Sequence, residues 1–496
     1  MQLPFNVEHG AAQSLQDQIF HRVRRLILDG QLKPGTSMPA TRELSRQLEV
    51  SRNTVLLAYD RLIAEGYLET EPAVGTFVSA HLPEDSLMLT ERPARAIDRH
   101  DRALRHRTIL FHGQPHGVYT PPGQRVSIDF KVGRPDPNSF PARLWQRLLV
   151  KKLEEAGKNL TEYSDPAGLW ELRQAIAEHL GPARGIATTP EQVLVVAGCQ
   201  EALDIVARLF VTKGTQVVTE CPCYQGAAFL FESYGADLYP IPVDNQGIQV
   251  DRLPDSPVTL AYLTPSHQYP MGATLSLERR LRLLEWAAGT GAYLIEDDYD
   301  SDFRHHGSPL TALKGLDRYD SVIYLGTFSK SIGASLRLGY MVLPRPLVKP
   351  ATDVKTLLNN GQPWLEQAVV AEFMSGGGFG NHLRRIRRVY LLRRDCLVSA
   401  LRRHFGEVRI SGLEGGMHIV WHLPAGFPPA AEVERRVRDA GVAVYTLPGG
   451  AAYCQPGEAA VRRSIMLGYS SLAESEIKEG VARIAAVLEN AAAGGT

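Results

Sequence analysis

No apolar run in this 496-residue chain approaches the roughly 18 residues that a membrane-spanning helix needs. Its opening residues, MQLPFNVEHG, lack the basic-then-apolar pattern of a secretory signal, so a cytoplasmic protein is expected. Net charge is absent as well: Lys+Arg and Asp+Glu both number 54. That balance excludes a bulk polycation but leaves room for a local nucleic-acid face. Cysteine is scarce, with five residues (Cys199, Cys221, Cys223, Cys396, Cys454). An odd number at scattered spacing suits a reducing compartment rather than a disulfide framework. Cys221-Pro-Cys223 has no second Cys/His pair at ligand spacing, so no metal site is expected, and His305-His306 reads as a surface pair. No internal repeat is visible.

What is present is ordinary for a globular protein with a real core: 44% hydrophobic and 22% charged residues. Length predicts two or three domains. Residues 12–80 read as short helices followed by a hairpin. Residues 81–125 are rich in Pro, Arg and His and read mainly as a linker. Residues 126–490 alternate strand-like apolar runs with amphipathic helices, the pattern of an α/β domain.

In the first zone, SLQDQIFHRVRRLILDG predicts a helix with Ser14 and Asp17 as a capping box, Ile19, Val23, Leu26 and Ile27 as its apolar stripe, and Gly30 as its stop. TRELSRQLEV predicts a second helix. SRNTVLLAYDRLIAEGY predicts a third, capped by Ser51, with Val55, Tyr59 and Leu62 on one face. YLETEPAVGTFVS then reads as two strands around a turn. This order is a winged helix-turn-helix, whose recognition helix enters the DNA major groove by its N-terminal end. Arg52, Asn53 and Thr54 would face bases or phosphates, with Arg42 near the backbone, and Gly75 would let the wing approach closely. Composition alone gives no such hint, because residues 1–80 hold eight Lys/Arg against nine Asp/Glu. The order of residues does: KPGTSMPATRELSRQLEVSRNTVLLAYDRLIAEGYLETEPAVGTFV resembles the GntR-type winged helix throughout.

In the third zone, GTFSKSIGASLRLGY (326–340) places Lys330 just past a predicted strand. Ligands gather at such ends of open α/β sheets. A lysine there can form a Schiff base with an aldehyde, while Thr327, Ser329 and Arg337 can hold a phosphate. Pyridoxal 5'-phosphate (PLP) is an aldehyde of that kind. Its ring nitrogen needs an acid, which Asp297 in GAYLIEDDYDSDF supplies, with Tyr299 two residues on. Its phosphate wants a helix N-terminus, which Gly198 and Gln200 open in VVAGCQEALDI. Its ring face wants an aromatic, which Tyr224 supplies.

YSDPAGLWELRQAIAEHLGPARGI, TPSHQYPMG, EDDYDSDF and TFSKSIGASLRLGY resemble, in order, the fold-type I aminotransferases. With the winged helix in front, nearly the whole chain resembles the MocR-type regulators. The resemblance implies an α/β protein with an N-terminal winged helix-turn-helix and a large PLP-dependent aminotransferase-like domain. It implies that Lys330 carries the cofactor's aldimine, that Asp297 pairs with the ring nitrogen, that Tyr299 lies near the ring hydroxyl and that Tyr224 stacks on the ring. Thr327, Ser329, Arg337 and the backbone at Gly198, Cys199 and Gln200 would bind phosphate, and Tyr163 would reach the neighbouring subunit's cofactor in a head-to-tail homodimer. Double-stranded operator DNA and PLP or an amine effector are the implied partners.

Three positions depart from aminotransferase practice. Cys199 replaces a serine in the phosphate turn. Tyr269 replaces the asparagine that holds the ring hydroxyl. Met466 falls where an arginine binds the substrate carboxylate, and a carboxylate desolvated without a charge partner is costly. A sensor of PLP or of an amine without that carboxylate is expected. The alternative is a working aminotransferase that also binds DNA. GNHLRRIRRVYLLRRD predicts a basic helix with a solvated or subunit-contacting face, and SGGGFG before it reads as a flexible connection.

Overall fold

Ser14 opens the first helix as its pattern predicts. In the computed structural model, which describes residues 2–10, 13–72, 74–82, 125–305, 310–455 and 457–493, its hydroxyl accepts from the Asp17 amide at 3.1 Å and donates to the Asp17 carboxylate at 2.7 Å. The chain divides into two units, Met1–Ile109 and Leu110–Thr496. The expected linker at 81–125 lies outside the described residues except for positions 81, 82 and 125.

The first unit has helices Leu15–Leu28, Thr41–Gln47 and Arg52–Ala64, then antiparallel strands Leu68–Glu71 and Gly75–Val78. Ile19, Val23, Leu44, Val55 and Leu62 are fully buried in one core. Each such burial is worth about 1.5–3 kcal/mol relative to exposure. Tyr59 joins that core and spends its hydroxyl on the Pro39 carbonyl at 3.0 Å. Packing thus consumes one face of the third helix and leaves the other outward.

The second unit is built on an eight-stranded sheet. Its order is Val193–Val196, Gly339–Val342, Val322–Thr327, Tyr293–Asp298, Leu260–Leu263, Gln216–Cys221, Asp237–Asp244 and Gly247–Ile248. The five from Val322–Thr327 to Asp237–Asp244 run parallel, Val193–Val196 runs in the same direction, and Gly339–Val342 and Gly247–Ile248 run against them. Continuous apolar runs such as VLVV and VIYL suit strands covered on both faces. Register sets Asp297 against Leu325 and Asp298 against Gly326. Two adjacent strand ends therefore deliver Asp297 and the Thr327–Lys330 loop to one edge. A smaller antiparallel sheet follows, made of Arg409–Ser411, His418–His422, Ser464–Gly468 and Tyr445–Thr446.

Three expectations change here. SGGGFG is not a loose connection: the 28-residue helix Gly378–Phe405 begins inside it, capped by Gly377 in the left-handed region (φ 74°). The arginines of that helix divide: Arg384, Arg385 and Arg388 are exposed as expected, while Arg387 and Arg393 are half-buried and Arg394 is buried. Arg385 donates to the Ser139 carbonyl, Arg387 to Asp302 and Arg394 to Leu413, and Arg393 donates to Ser470 and pairs with Asp136 at 3.2 Å. The charges there fasten backbone carbonyls of neighbouring segments. His305 is likewise drawn inward, 2.8 Å from the Tyr469 hydroxyl. His306 lies outside the described residues.

Candidate functional site

The first unit gathers the residues expected to face nucleic acid at the start of its third helix. Ser51 accepts from the Thr54 amide at 3.1 Å and shares a hydrogen bond with its hydroxyl at 2.8 Å, so both cap the helix. Arg42, Arg52 and Asn53 are exposed, and Arg52 reaches the Thr41 hydroxyl at 3.3 Å. Gly75 begins the second wing strand opposite Glu71, with φ 151°, a conformation that favours glycine.

In the second unit, four strand ends supply the pocket. After Val193–Val196 the chain turns at Gly198 (φ 97°), which caps the helix Cys199–Phe210. Three further details fix this turn. Arg337, itself in the left-handed region (φ 50°), donates to the Ala197 carbonyl at 2.6 Å. A Cβ on Gly198 would come within 3.2 Å of that guanidinium. The Ala197 amide is held by Glu201, which is braced by Lys355 at 3.0 Å. The Thr327 hydroxyl accepts from the Ser329 amide at 3.0 Å, shaping the loop that carries Lys330. Amide donors at a helix N-terminus, hydroxyls and a guanidinium together make an oxyanion cradle.

Lys330 is half-buried, and its Nζ donates to the Gly133 carbonyl at 2.8 Å. Burial lowers its pKa, while the nearby Cys199, Asp300 and Asp297 oppose that fall. Asp297 is buried. Its Oδ2 accepts from the Tyr262 hydroxyl at 2.7 Å, and its Oδ1 has no hydrogen-bond partner among the described residues. A buried carboxylate with a free oxygen fits a cationic N–H, the chemistry of a protonated pyridine. The residues present therefore fit PLP. Tyr224 stands edge-on to Tyr269 with ring centroids 6.0 Å apart, and Tyr269 edge-on to Tyr299 at 5.7 Å. Gly226 makes room, since a Cβ there would fall about 2.5 Å from the Tyr224 ring.

Burial pushes the Asp297 carboxyl up to about 6, with the Tyr262 hydroxyl and the Cys199 thiol drawing it back down. Folded protein without cofactor then binds a proton that the unfolded chain releases between about pH 4 and about pH 6. This contribution to stability is lost as pH rises through that window. Asp297→Asn is therefore expected to gain in melting temperature relative to wild type as pH goes from about 4.5 to about 7. Thermal melts of cofactor-free protein at both values check it. A constant difference rules out the ionised carboxylate as the cost.

Cys199 stands beside Asp297, its thiol pKa raised by burial. The Gln200 side chain is spent on the Gly226 carbonyl at 3.0 Å, leaving its backbone for a ligand. Tyr269 does not imitate asparagine, because its hydroxyl donates to the Gly450 carbonyl. Met466 is fully buried in an apolar cluster with Tyr269, Val420 and Tyr445. Arg463 points away, to the Phe427 carbonyl at 2.9 Å. Tyr163 is 91% exposed and takes no part in this chain's own pocket. Sequence reading missed Tyr262, Gly133, Glu201 and the buried trio His267, Asp300 and His418, whose ligand atoms lie within 4.8 Å of one another. The only signal for the trio was His267 in TPSHQYPMG and Asp300 in DDYD.

Fold and pocket together define a class of protein: an aminotransferase-type cofactor unit sharing one chain with a winged helix. The "Aminotransferase class I and II" family matches residues 128–484 and the "Bacterial regulatory proteins, gntR family" matches residues 15–78. The chain belongs to the MocR-type branch of the GntR regulators. It is 37% identical over 468 residues to the "Probable rhizopine catabolism regulatory protein MocR" of Rhizobium meliloti, covering 94% of this chain and 92% of that one. It is 30% identical to the "HTH-type pyridoxine biosynthesis transcriptional regulator PdxR" of Corynebacterium glutamicum, covering 84% and 85%. Among solved structures it resembles the Pyrococcus horikoshii kynurenine aminotransferase, with TM-score 0.67, 29% identity and coverage of 73% of this chain and 91% of that one. Among the described residues no helix is long and apolar enough to cross a membrane.

Proposed function

We propose that this protein is a cytoplasmic transcriptional regulator that reads operator DNA with its winged helix and senses PLP or an amine in its aminotransferase-like unit. One observation carries the reading. Asp297 and Arg337 both lie close enough to Lys330 to act on its charge, yet the position expected to bind a carboxylate holds buried Met466.

When bound, PLP supplies an aldehyde that condenses with a primary amine. Lys330 would hold that aldehyde, and an effector amine would compete for it. Asp297 would keep the ring nitrogen charged, Tyr224 would cover the ring face, and Tyr299 would meet the ring hydroxyl. Arg337, Thr327, Ser329 and the turn Gly198–Cys199–Gln200 would carry the phosphate. Tyr163, exposed here, would serve the partner's pocket in a head-to-tail homodimer. A dimer would read paired half-sites. Effector exchange must favour one arrangement of the dimer over another, since a ligand equal toward both shifts nothing. The domain limits 12–80 and 126–490, joined by 81–125, belong to the same reading.

A working aminotransferase is not favoured. Tyr269 has spent its hydroxyl on Gly450, and Met466 is packed in an apolar cluster with Val420 and Tyr445.

The test is a gel shift on DNA upstream of the protein's own gene, comparing cofactor-stripped protein with protein reloaded with PLP. A difference in affinity or footprint is expected if PLP is the signal. Equal binding of the two forms moves the signal to an amine. Equal binding with every amine tried as well defeats the sensor reading.

A further inference from the structure

His267 sits behind the aromatic wall of the pocket, and no role has yet been given to it. Its Nδ1 lies 2.8 Å from Asp300 Oδ2 and 3.1 Å from the Tyr299 hydroxyl. Its Nε2 is buried without a hydrogen-bond partner among the described residues. A hydrogen on Nε2 would be a buried donor with no acceptor, which costs more than the bond is worth elsewhere. The Asp300 carboxylate accepts only. The ring hydrogen therefore sits on Nδ1, directed at Asp300. The Tyr299 oxygen can then only accept from that N–H, and its own hydrogen must point elsewhere. Tyr299 has no other hydrogen-bond partner among the described residues.

His418 completes the arrangement. Its Nε2 lies 2.9 Å from the Pro270 carbonyl, to which it donates, and its ring centroid is 5.3 Å from that of His267. Burial brings the His418 pKa down to about 4, so it adds no positive charge at neutral pH. Tyr269 has its hydroxyl hydrogen on Gly450. Of the two positions that serve the ring oxygen in aminotransferases, one is thus spent, and the duty falls on Tyr299.

We infer that His267, fixed by Asp300, is a positioning residue that turns the Tyr299 hydroxyl hydrogen outward to the ring oxygen of the bound cofactor. This rests on the PLP reading above. A hydrogen bond donated to that oxygen stabilises the deprotonated form of the Lys330–cofactor linkage, and so lowers its pKa. Other charged and titratable groups face this region: Cys199, Asp297 and Arg337 around Lys330, and Glu220 beyond Tyr299. Arg184, Arg304 and Glu414 share a small cavity with His267 and Asp300. All of these are unchanged in the variants below.

The experiment loads full-length protein with PLP and follows its visible absorbance against pH. Tyr299→Phe sets the scale by removing the donor, and the midpoint should rise. His267→Gln, which keeps the bulk but loses the donor at the Nδ1 position, should raise it by about one pH unit, the size of one hydrogen bond to a charged group. His267→Asn, whose amide nitrogen falls at the Nδ1 position, should return the midpoint toward wild type. Tyr299→Phe combined with His267→Gln should shift no further than Tyr299→Phe alone, because the two act through one bond. A midpoint unmoved by His267→Gln, or a double variant equal to the sum, overturns the inference. A wild-type protein that develops no such absorbance overturns the PLP reading, and the role of His267 with it. If the Gln variant does not fold, Asp300→Ser with the Tyr299→Phe cycle gives the same comparison.

Discussion

Lys330→Ala protein passed through gel filtration after incubation with PLP is expected to emerge almost free of cofactor, where wild type retains it. Burial lowers the pKa of the Lys330 amine, which raises the fraction that is neutral and nucleophilic. With the amine gone, the phosphate cradle and the Tyr224 face remain, but only as non-covalent contacts. A loss in affinity of at least about 100-fold is expected, corresponding to about 2.7 kcal/mol. Lys330→Arg keeps the charge and should fail equally, because a guanidinium does not condense with an aldehyde under these conditions. Retention by either variant at the wild-type level contradicts the assignment of Lys330. The same variants should bind DNA alike with and without PLP.

Arg52→Ala should weaken operator binding by about 10- to 100-fold, the cost of losing a base-contacting arginine. Its side chain is exposed at the leading end of the recognition helix, and Tyr59, Val55 and Leu62 anchor the opposite face. Removing it therefore leaves the core untouched, and the melting temperature should hold. Titrations at several salt concentrations separate two roles. A base contact relaxes sequence preference, whereas a phosphate contact weakens all sequences evenly and reduces the salt dependence by about one ion. Unchanged affinity on every sequence removes Arg52 from the interface.

The winged helix was legible because local signals fix it: Ser14 and Ser51 cap helices with their own hydroxyls, and the apolar stripes have helical period. The sheet was legible for a similar reason, since parallel strands covered on both faces read as unbroken apolar runs. Lys330, Asp297 and Gly198 could be named because each lies at or just past the end of a strand. The residues that were missed act across distance. Tyr262 meets Asp297 from 35 positions away, and Lys330 meets the Gly133 carbonyl across 197. Backbone acceptors carry no side-chain signature at all. The arginine-rich helix was only partly legible for the same reason: several of its arginines are exposed, but the carbonyls that receive others, scattered from Ser139 to Ser470, leave no trace in the run of charge.

Glu201 and Lys355 have a consequence for how a signal could travel. Lys355 is fully buried and holds Glu201 together with Asn359 and Gln362, and Glu201 in turn holds the Ala197 amide at the phosphate turn. This end of the pocket is braced from behind by a closed set of side chains before any ligand arrives. On the function proposed above it would act as a vice, holding a phosphate without yielding to it. Discrimination between occupants would then fall to the opposite end, where Lys330 and the tyrosine wall would meet the part of the ligand that differs.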